Sequence, residues 1–152
     1  MLYRDYLSTP IGDLETVANE TGLCSVYFVE ARTAVDPNQI TQDAVQQLRE
    51  YFDGARQAFD LPLSASGTDF QRSVWAQLSK VEFAKTCSYQ DIANAIDNPK
   101  AVRAVGAANG KNPLTVIVPC HRVIGADGTL TGYAGGLKRK EWLLRHEGVL
   151  KA

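Results

Sequence analysis

Apolar and polar positions alternate through the first thirty residues, and that alternation predicts three strands, over residues 2–9, 13–19 and 23–30. Leu14, Thr16 and Ala18 fall on one side of the second, and Pro10-Ile11-Gly12 and Thr21-Gly22 supply the turns. The period then changes. After Asp36-Pro37-Asn38, residues Ile40, Ala44, Val45, Leu48, Tyr51 and Phe52 recur at helical spacing, with Gly54 just past the end. The first lobe therefore reads as an antiparallel meander with a helix laid across it. Cys24 sits within a strand pattern and reads as core, and nothing in this lobe has the composition of a catalytic site.

The segment Phe59–Gly67 is aperiodic and punctuated by Pro62 and Gly67, which sets a domain boundary and divides the chain into residues 1–66 and 67–152. Thr68 and Gln71 form a T-x-x-Q capping pattern, opening a helix that buries Phe70, Val74, Trp75 and Leu78. Ser88-Tyr89-Gln90-Asp91 opens the next, with Ile92, Ala93 and Ile96 inward. Asn98 as N-cap and Pro99 at the first helical position predict a restart at once, a helix over Lys100–Asn109 closed by Gly110. Two short helices joined by a tight turn make a helix-turn-helix pattern. The second consists mostly of Ala and Gly, with Arg103 its one long arm. Such a helix is poor in groups that read base edges in the major groove. Its backbone can come close to a minor groove, or equally close to a neighbouring helix.

Val116-Ile117-Val118 is a short β-branched run that predicts a buried strand, and Pro119 ends it. Cys120 and His121 follow directly. An adjacent pair of this kind fits a small buried side chain beside an unrelated imidazole as well as it fits a nucleophile and its base. Successive residues of a strand point to opposite faces, so the two cooperate only if the backbone bends there. Pro119 before and the Gly125-Ala126-Asp127-Gly128 turn signal after allow that bend. Beyond them, Gly135-Gly136 leads into a last helix with Leu137, Leu143 and Leu144 inward, Lys138, Arg139 and Lys140 near its start, and Gly148 at its end.

Composition narrows the classes. With 152 residues, 45% hydrophobic and 22% charged, the chain fits one or two ordinary globular domains. Three scattered cysteines, two histidines and no CxxC pair argue against a disulfide framework or a structural zinc site. Residues 1–10 carry Arg4 and Asp5 and no apolar core, and no run reaches the ~20 apolar residues of a membrane span. A cytoplasmic protein is expected, nuclear if the source is eukaryotic. Neither a GxxxxGK[ST] nor a GxGxxG motif is present. The net charge of −1 hides an asymmetry: four arginines face ten acids in residues 1–67, a net of −6, and twelve bases face seven acids in residues 68–152, a net of +5. That basic half suits a nucleic-acid face or simply a solvated surface.

Taken together, the blocks Pro119-Cys120-His121-Arg122-Val123-Ile124, Tyr133-Ala134-Gly135-Gly136-Leu137 and Trp142–Gly148 resemble the methylated-DNA–protein-cysteine methyltransferases, the alkylguanine-DNA alkyltransferases. Thr68-Asp69-Phe70-Gln71, Ser88-Tyr89-x-x-Ile92-Ala93, Arg103-Ala104-Val105-Gly106 and Lys111-Asn112-Pro113 fit the same family in the same order. The resemblance is close over residues 60–148 and loose over the first lobe. Two positions depart from it: Ala84 and Asp97 stand where family members often have glycine. Asp tolerates a left-handed backbone better than most residues, so modest strain is expected there.

The resemblance implies an α+β protein, with an N-terminal three-stranded antiparallel sheet and helix of ribonuclease-H-like type and a C-terminal, mainly helical, winged helix-turn-helix-like domain. It implies direct reversal of damage in double-stranded DNA: the base is flipped out through the minor groove, and the alkyl group of O6-alkylguanine, with O4-alkylthymine as a further candidate, passes irreversibly to Cys120. His121 would take the thiol proton through a water, oriented by Glu147, while Asn112 braces the turn. Tyr89 would push the phosphate and bond the flipped base. Arg103 would fill the vacated space, with Ala104 and Arg122 also at the DNA, and Val123, Tyr133, Ala134 and Gly135 would line the base pocket. No cofactor, metal or membrane enters this scheme, and the protein would act as a monomer. A cysteine-less lesion sensor, a Cys-His hydrolase and a sequence-specific regulator are the alternatives. The presence of Cys120, and the poverty of the Lys100–Asn109 helix in base-reading side chains, speak against the first and the last.

Overall fold

The computed structural model describes residues 1–150, which divide into two units. The first comprises Met1–Ser66 together with Pro113–Ile117, and the second Gly67–Asn112 and the chain from Val118 onward.

In the first unit, β1 (Tyr3–Thr9), β2 (Gly12–Ala18) and β3 (Leu23–Val29) form an antiparallel sheet in chain order. The register sets Leu7 opposite Leu14 and Leu14 opposite Phe28, so one face is apolar, and Leu14, Thr16 and Ala18 are fully buried along it. Helix α1 (Gln39–Phe52) packs on the sheet through Thr41, Ala44, Val45, Leu48 and Tyr51. Its start is fixed by a reciprocal cap: the Asn38 side chain accepts from the Thr41 amide at 2.9 Å, and the Thr41 hydroxyl accepts from the Asn38 amide at 2.9 Å. Cys24 is only half-buried, so it is not a core residue as the strand pattern suggested.

The Val116–Val118 run is not a strand. Leu114 makes a single parallel bridge to Val26, in which the Val26 amide donates to Pro113 O and the Thr115 amide to Val26 O, and the chain then turns. Val116 is buried at φ +71°, a conformation that β-branched residues rarely adopt. Those two backbone bonds are why residues 113–117 leave the sequence-based 67–152 domain and pack with the first unit.

The second unit opens with α2 (Asp69–Leu78), capped reciprocally by Thr68 and Gln71. Val74, Trp75 and Leu78 are buried, whereas Phe70 is only half-buried. Gly67 is required here, since a Cβ at this position would lie 2.5 Å from the Trp75 ring. The two-residue strand β4 (Cys87–Ser88) runs straight into α3 (Tyr89–Ala95), capped by the Ser88–Asp91 pair. Asp97 then takes φ +60°, and Asn98 does not cap a helix. It closes a turn by accepting from the Ala101 amide, and α4 (Val102–Gly110) begins after it. Pro99 therefore lies before the helix, and Gly110 ends inside it rather than past it. The Trp75 indole donates to Ala108 O at 2.8 Å, tying α2 to α4. After a one-turn 3-10 segment (Cys120–Arg122), β5 (Val123–Ile124) pairs in parallel with β4, and α5 (Leu137–His146) closes the unit. Leu143 and Leu144 are buried, but Leu137 is half exposed and Ile96 is only half-buried. Among the described residues, no helix is long and apolar enough to cross a membrane, and no group of three or more His, Cys, Asp or Glu side chains could hold a metal ion.

Candidate active site

Cys120 is the first residue of the 3-10 turn, and this answers the geometric objection that a strand would raise. In a turn, neighbouring side chains no longer alternate between opposite faces. The turn is braced from two sides: the Cys120 amide and the Asn112 Nδ2 both donate to Val118 O, each at 2.8 Å. The thiol is buried, and burial pushes its pKa up. A hydrogen bond with the Asn112 side chain and the positive charge of Lys140 act in the opposite direction. The sulfur is therefore a protonated, desolvated thiol that would need a base to become a thiolate.

His121 is fully buried, with Nε2 2.7 Å from Glu147 Oε2 at the end of α5. An ionised carboxylate can only accept, so Nε2 carries the hydrogen and Nδ1 keeps its lone pair. Nδ1 is buried and makes no hydrogen bond among the described residues. Burial holds the imidazole pKa below its ordinary value, opposed by Glu147 and reinforced by Arg122 and Lys140. The ring is thus neutral, with its basic nitrogen unspent.

Glu147 is saturated. Arg122 donates Nε to Oε1 at 2.8 Å and Nη2 to Oε2 at 3.0 Å, and the Ala84 amide donates to Oε1 at 3.3 Å. Arg122 Nη1 bonds Val81 O at 2.6 Å, and the guanidinium lies 5.9 Å from the centre of the Phe83 ring. Arg122, expected at the DNA, is buried with its donors on these partners. It fixes the carboxylate.

Tyr89, at the start of α3, is half-buried with its hydroxyl 2.6 Å from Thr131 Oγ1. A Cβ on Gly106 of α4 would stand in ordinary contact with its ring. Arg103 and Ala104 lie exposed on α4, while Val105, Ala108 and Asn109 face inward. Val123 is fully buried and Ala134 is exposed. The Tyr133 hydroxyl is buried without a partner among the described residues, and burial, with Cys120 nearby, raises its pKa well above the ordinary value.

One side chain of this neighbourhood escaped the sequence reading. Lys140 is fully buried on α5, with Nζ bonded to Val123 O at 2.5 Å and Thr131 O at 3.1 Å. Grouped by sequence with Lys138 and Arg139 near the helix start, it shares the helical spacing of Leu143, Leu144 and Glu147, which was the available signal.

A sheet-and-helix unit followed by a helical unit bearing this Cys-His-Glu arrangement matches the two domains of one protein class. Residues 2–65 match the 6-O-methylguanine DNA methyltransferase ribonuclease-like domain, and residues 69–149 the DNA binding domain of the same proteins. The chain belongs to the 6-O-methylguanine DNA methyltransferase family. Among its relatives is the methylated-DNA–protein-cysteine methyltransferase of Methanosarcina barkeri, 43% identical over 96% of this chain and 97% of that protein. The constitutive enzyme of Bacillus subtilis is also 43% identical, over 98% and 97%. The crystal structure of Mycobacterium tuberculosis OGT in complex with DNA superposes with a TM-score of 0.86 at 44% identity, covering 97% of this chain and 94% of that one.

Proposed function

We propose that this chain repairs double-stranded DNA by taking the alkyl group of O6-alkylguanine onto the sulfur of Cys120, once per molecule and irreversibly. The observation that carries the reading is the buried His121–Glu147 pair directly beside the Cys120 turn, with His121 Nδ1 left as an unspent base.

The damaged base leaves the stack through the minor groove, at a cost of a few kcal/mol. Arg103, exposed on a helix of small residues, fills the space it vacates, and Ala104 lets the α4 backbone approach the groove. Tyr89 pushes the phosphate and turns its hydroxyl from Thr131 to the flipped base. Val123, Tyr133, Ala134 and Gly135 line the pocket that receives it. His121 Nδ1 draws the Cys120 proton through a bridging water, and Asn112 holds the turn as charge develops on sulfur. A sulfur–carbon bond forms as the carbon–O6 bond breaks, and the bond pair returns to the guanine, which takes up the proton. O4-alkylthymine presents the same alkyl–oxygen bond and is the further candidate substrate. A thioether is a poor leaving group, so Cys120 stays alkylated. The chain works alone, without a cofactor, as a monomer.

Intact mass after incubation with a duplex containing one 6-O-methylguanine tests the reading. The expected result is a gain of one methyl, mapped to Cys120 and absent in Cys120→Ala. Turnover beyond one equivalent, or lesion binding without a mass gain, would overturn it.

A further inference from the structure

A lysine fully buried on α5 makes no ion pair among the described residues: Lys140 has two neutral carbonyls as its partners, Val123 O and Thr131 O. For packing alone an apolar side chain of the same length would serve as well, because taking an ammonium out of water is costly unless its charge is used. The two carbonyls belong to different segments. Val123 begins β5 immediately after the Cys120 turn, and Thr131 lies in the loop that leads to Tyr133. Thr131 in turn meets Tyr89 through its hydroxyl, so the Lys140 ammonium stands at one end of a chain of bonds reaching α3.

Resting on the reading of Cys120 as the alkyl acceptor, we propose that Lys140 is a positioning residue for the transfer: its ammonium clamps the Val123 and Thr131 carbonyls on either side of the base pocket and, while protonated, favours the thiolate of Cys120. Burial brings the Lys140 pKa down to about 8, and the negative charge available on Cys120 opposes that shift. The converse also holds, with Lys140 counteracting the burial that raises the thiol. The other ionisable groups around the turn are His121, Arg122, Glu147, Tyr133 and Arg139. None duplicates this charge: Arg122 is matched by Glu147, and Lys140, not Arg139, is the cation that acts on the Cys120 thiol.

The test is the pH dependence of Cys120 alkylation by iodoacetamide, without DNA, in the wild type, Lys140→Met and Lys140→Arg. Below about pH 8, where Lys140 is still an ammonium, the rate is expected to fall about tenfold in Lys140→Met and to return toward the wild-type value in Lys140→Arg. A role in packing alone would leave the rate unchanged. If Lys140→Met does not fold, the titration of Lys140 followed by NMR in the wild type and in Cys120→Ser decides the matter, with a lower pKa expected in Cys120→Ser. An unchanged rate below about pH 8 in folded Lys140→Met, or an unmoved Lys140 titration in Cys120→Ser, overturns the proposal. Failure of the wild type to gain a methyl from DNA would instead overturn the functional reading, since these measurements involve no DNA.

Discussion

Arg122 and Glu147 form a buried two-pronged ion pair, Nε to Oε1 at 2.8 Å and Nη2 to Oε2 at 3.0 Å. The parallel bonds fix the carboxylate plane, which a single contact would not. With the plane fixed, Oε2 lies 2.7 Å from His121 Nε2 and sets the tautomer of the ring. The ion pair is thus the support of a base, and its value to stability and its value to chemistry can be separated.

Glu147→Gln should cost both. It leaves the Arg122 guanidinium buried without a counter-charge, a loss of roughly 3–5 kcal/mol. It also loosens His121, so methyl transfer should slow by about 10²-fold or more, the scale of general acid–base contributions. Urea denaturation measures the first and single-turnover transfer from a methylated oligonucleotide the second. A variant of normal stability and rate would remove Glu147 from both roles.

His121 makes stability depend on pH in a definite direction. Burial lowers its pKa in the folded chain below the ordinary 6.5. As pH falls, the unfolded chain therefore takes up the proton first, and the native state loses stability relative to it. The stabilisation is complete above pH 6.5 and is lost below it. Urea midpoints at about pH 7.5 and about pH 5.5 should fall further apart in the wild type than in His121→Gln. Equal losses in the two proteins would contradict the neutral, buried imidazole.

Besides Val116, two non-glycine residues sit in left-handed backbone, Ala84 at φ +65° and Asp97 at φ +60°. That conformation costs an L-residue roughly 1–2 kcal/mol, and glycine gives back about 0.5–1 of it in chain entropy. Ala84→Gly should therefore raise stability by about 0.5–1 kcal/mol, and Asp97→Gly by less, because Asp tolerates the region better. Thermal unfolding of each variant checks the order. The Ala84 amide also bonds Glu147, so its loop helps hold the carboxylate while carrying strain.

Local chemistry made much of the architecture readable. Alternation placed Leu14, Thr16 and Ala18 on the buried face, and the Thr68–Gln71 pair marked a helix start to the residue. Errors arose where one residue pattern serves two structures. Asn98-Pro99 has the identities of a helix start, yet the pair forms the turn before α4, and the helix begins without a side-chain cap. The β-branched run at Val116 reads as a strand but bends at φ +71°, because Leu114 has already spent its pairing on Val26. The order Pro-Cys-His-Arg pointed to Cys120 and His121, whereas the groups that hold Glu147 and Arg122 beside them, Ala84 N–H and Val81 O, lie far off in sequence. The burial of Arg122 was hidden for the same reason: it is set by Glu147, which no local pattern brings to it.

Arg103 and Arg122 should separate cleanly in their effects on DNA. Arg103 is exposed on α4, and Arg122 is buried against Glu147. If Arg103 occupies the space of the flipped base, Arg103→Ala removes a group that offsets part of an unstacking cost of a few kcal/mol. Transfer from duplex DNA should then slow by about 10- to 100-fold, the equivalent of ~1.4–2.8 kcal/mol. Iodoacetamide alkylation of Cys120 should be unchanged, since the thiol and its base are untouched. An arm between bases neutralises no phosphate, so the salt dependence of binding should keep its slope, whereas loss of one phosphate contact lowers that slope by about 0.9. Arg122→Lys should leave the same slope intact while lowering stability, because it gives up the two-pronged bond. A reduced slope in Arg122→Lys would return that residue to the DNA surface, and unslowed transfer by Arg103→Ala would leave base extrusion without its arm.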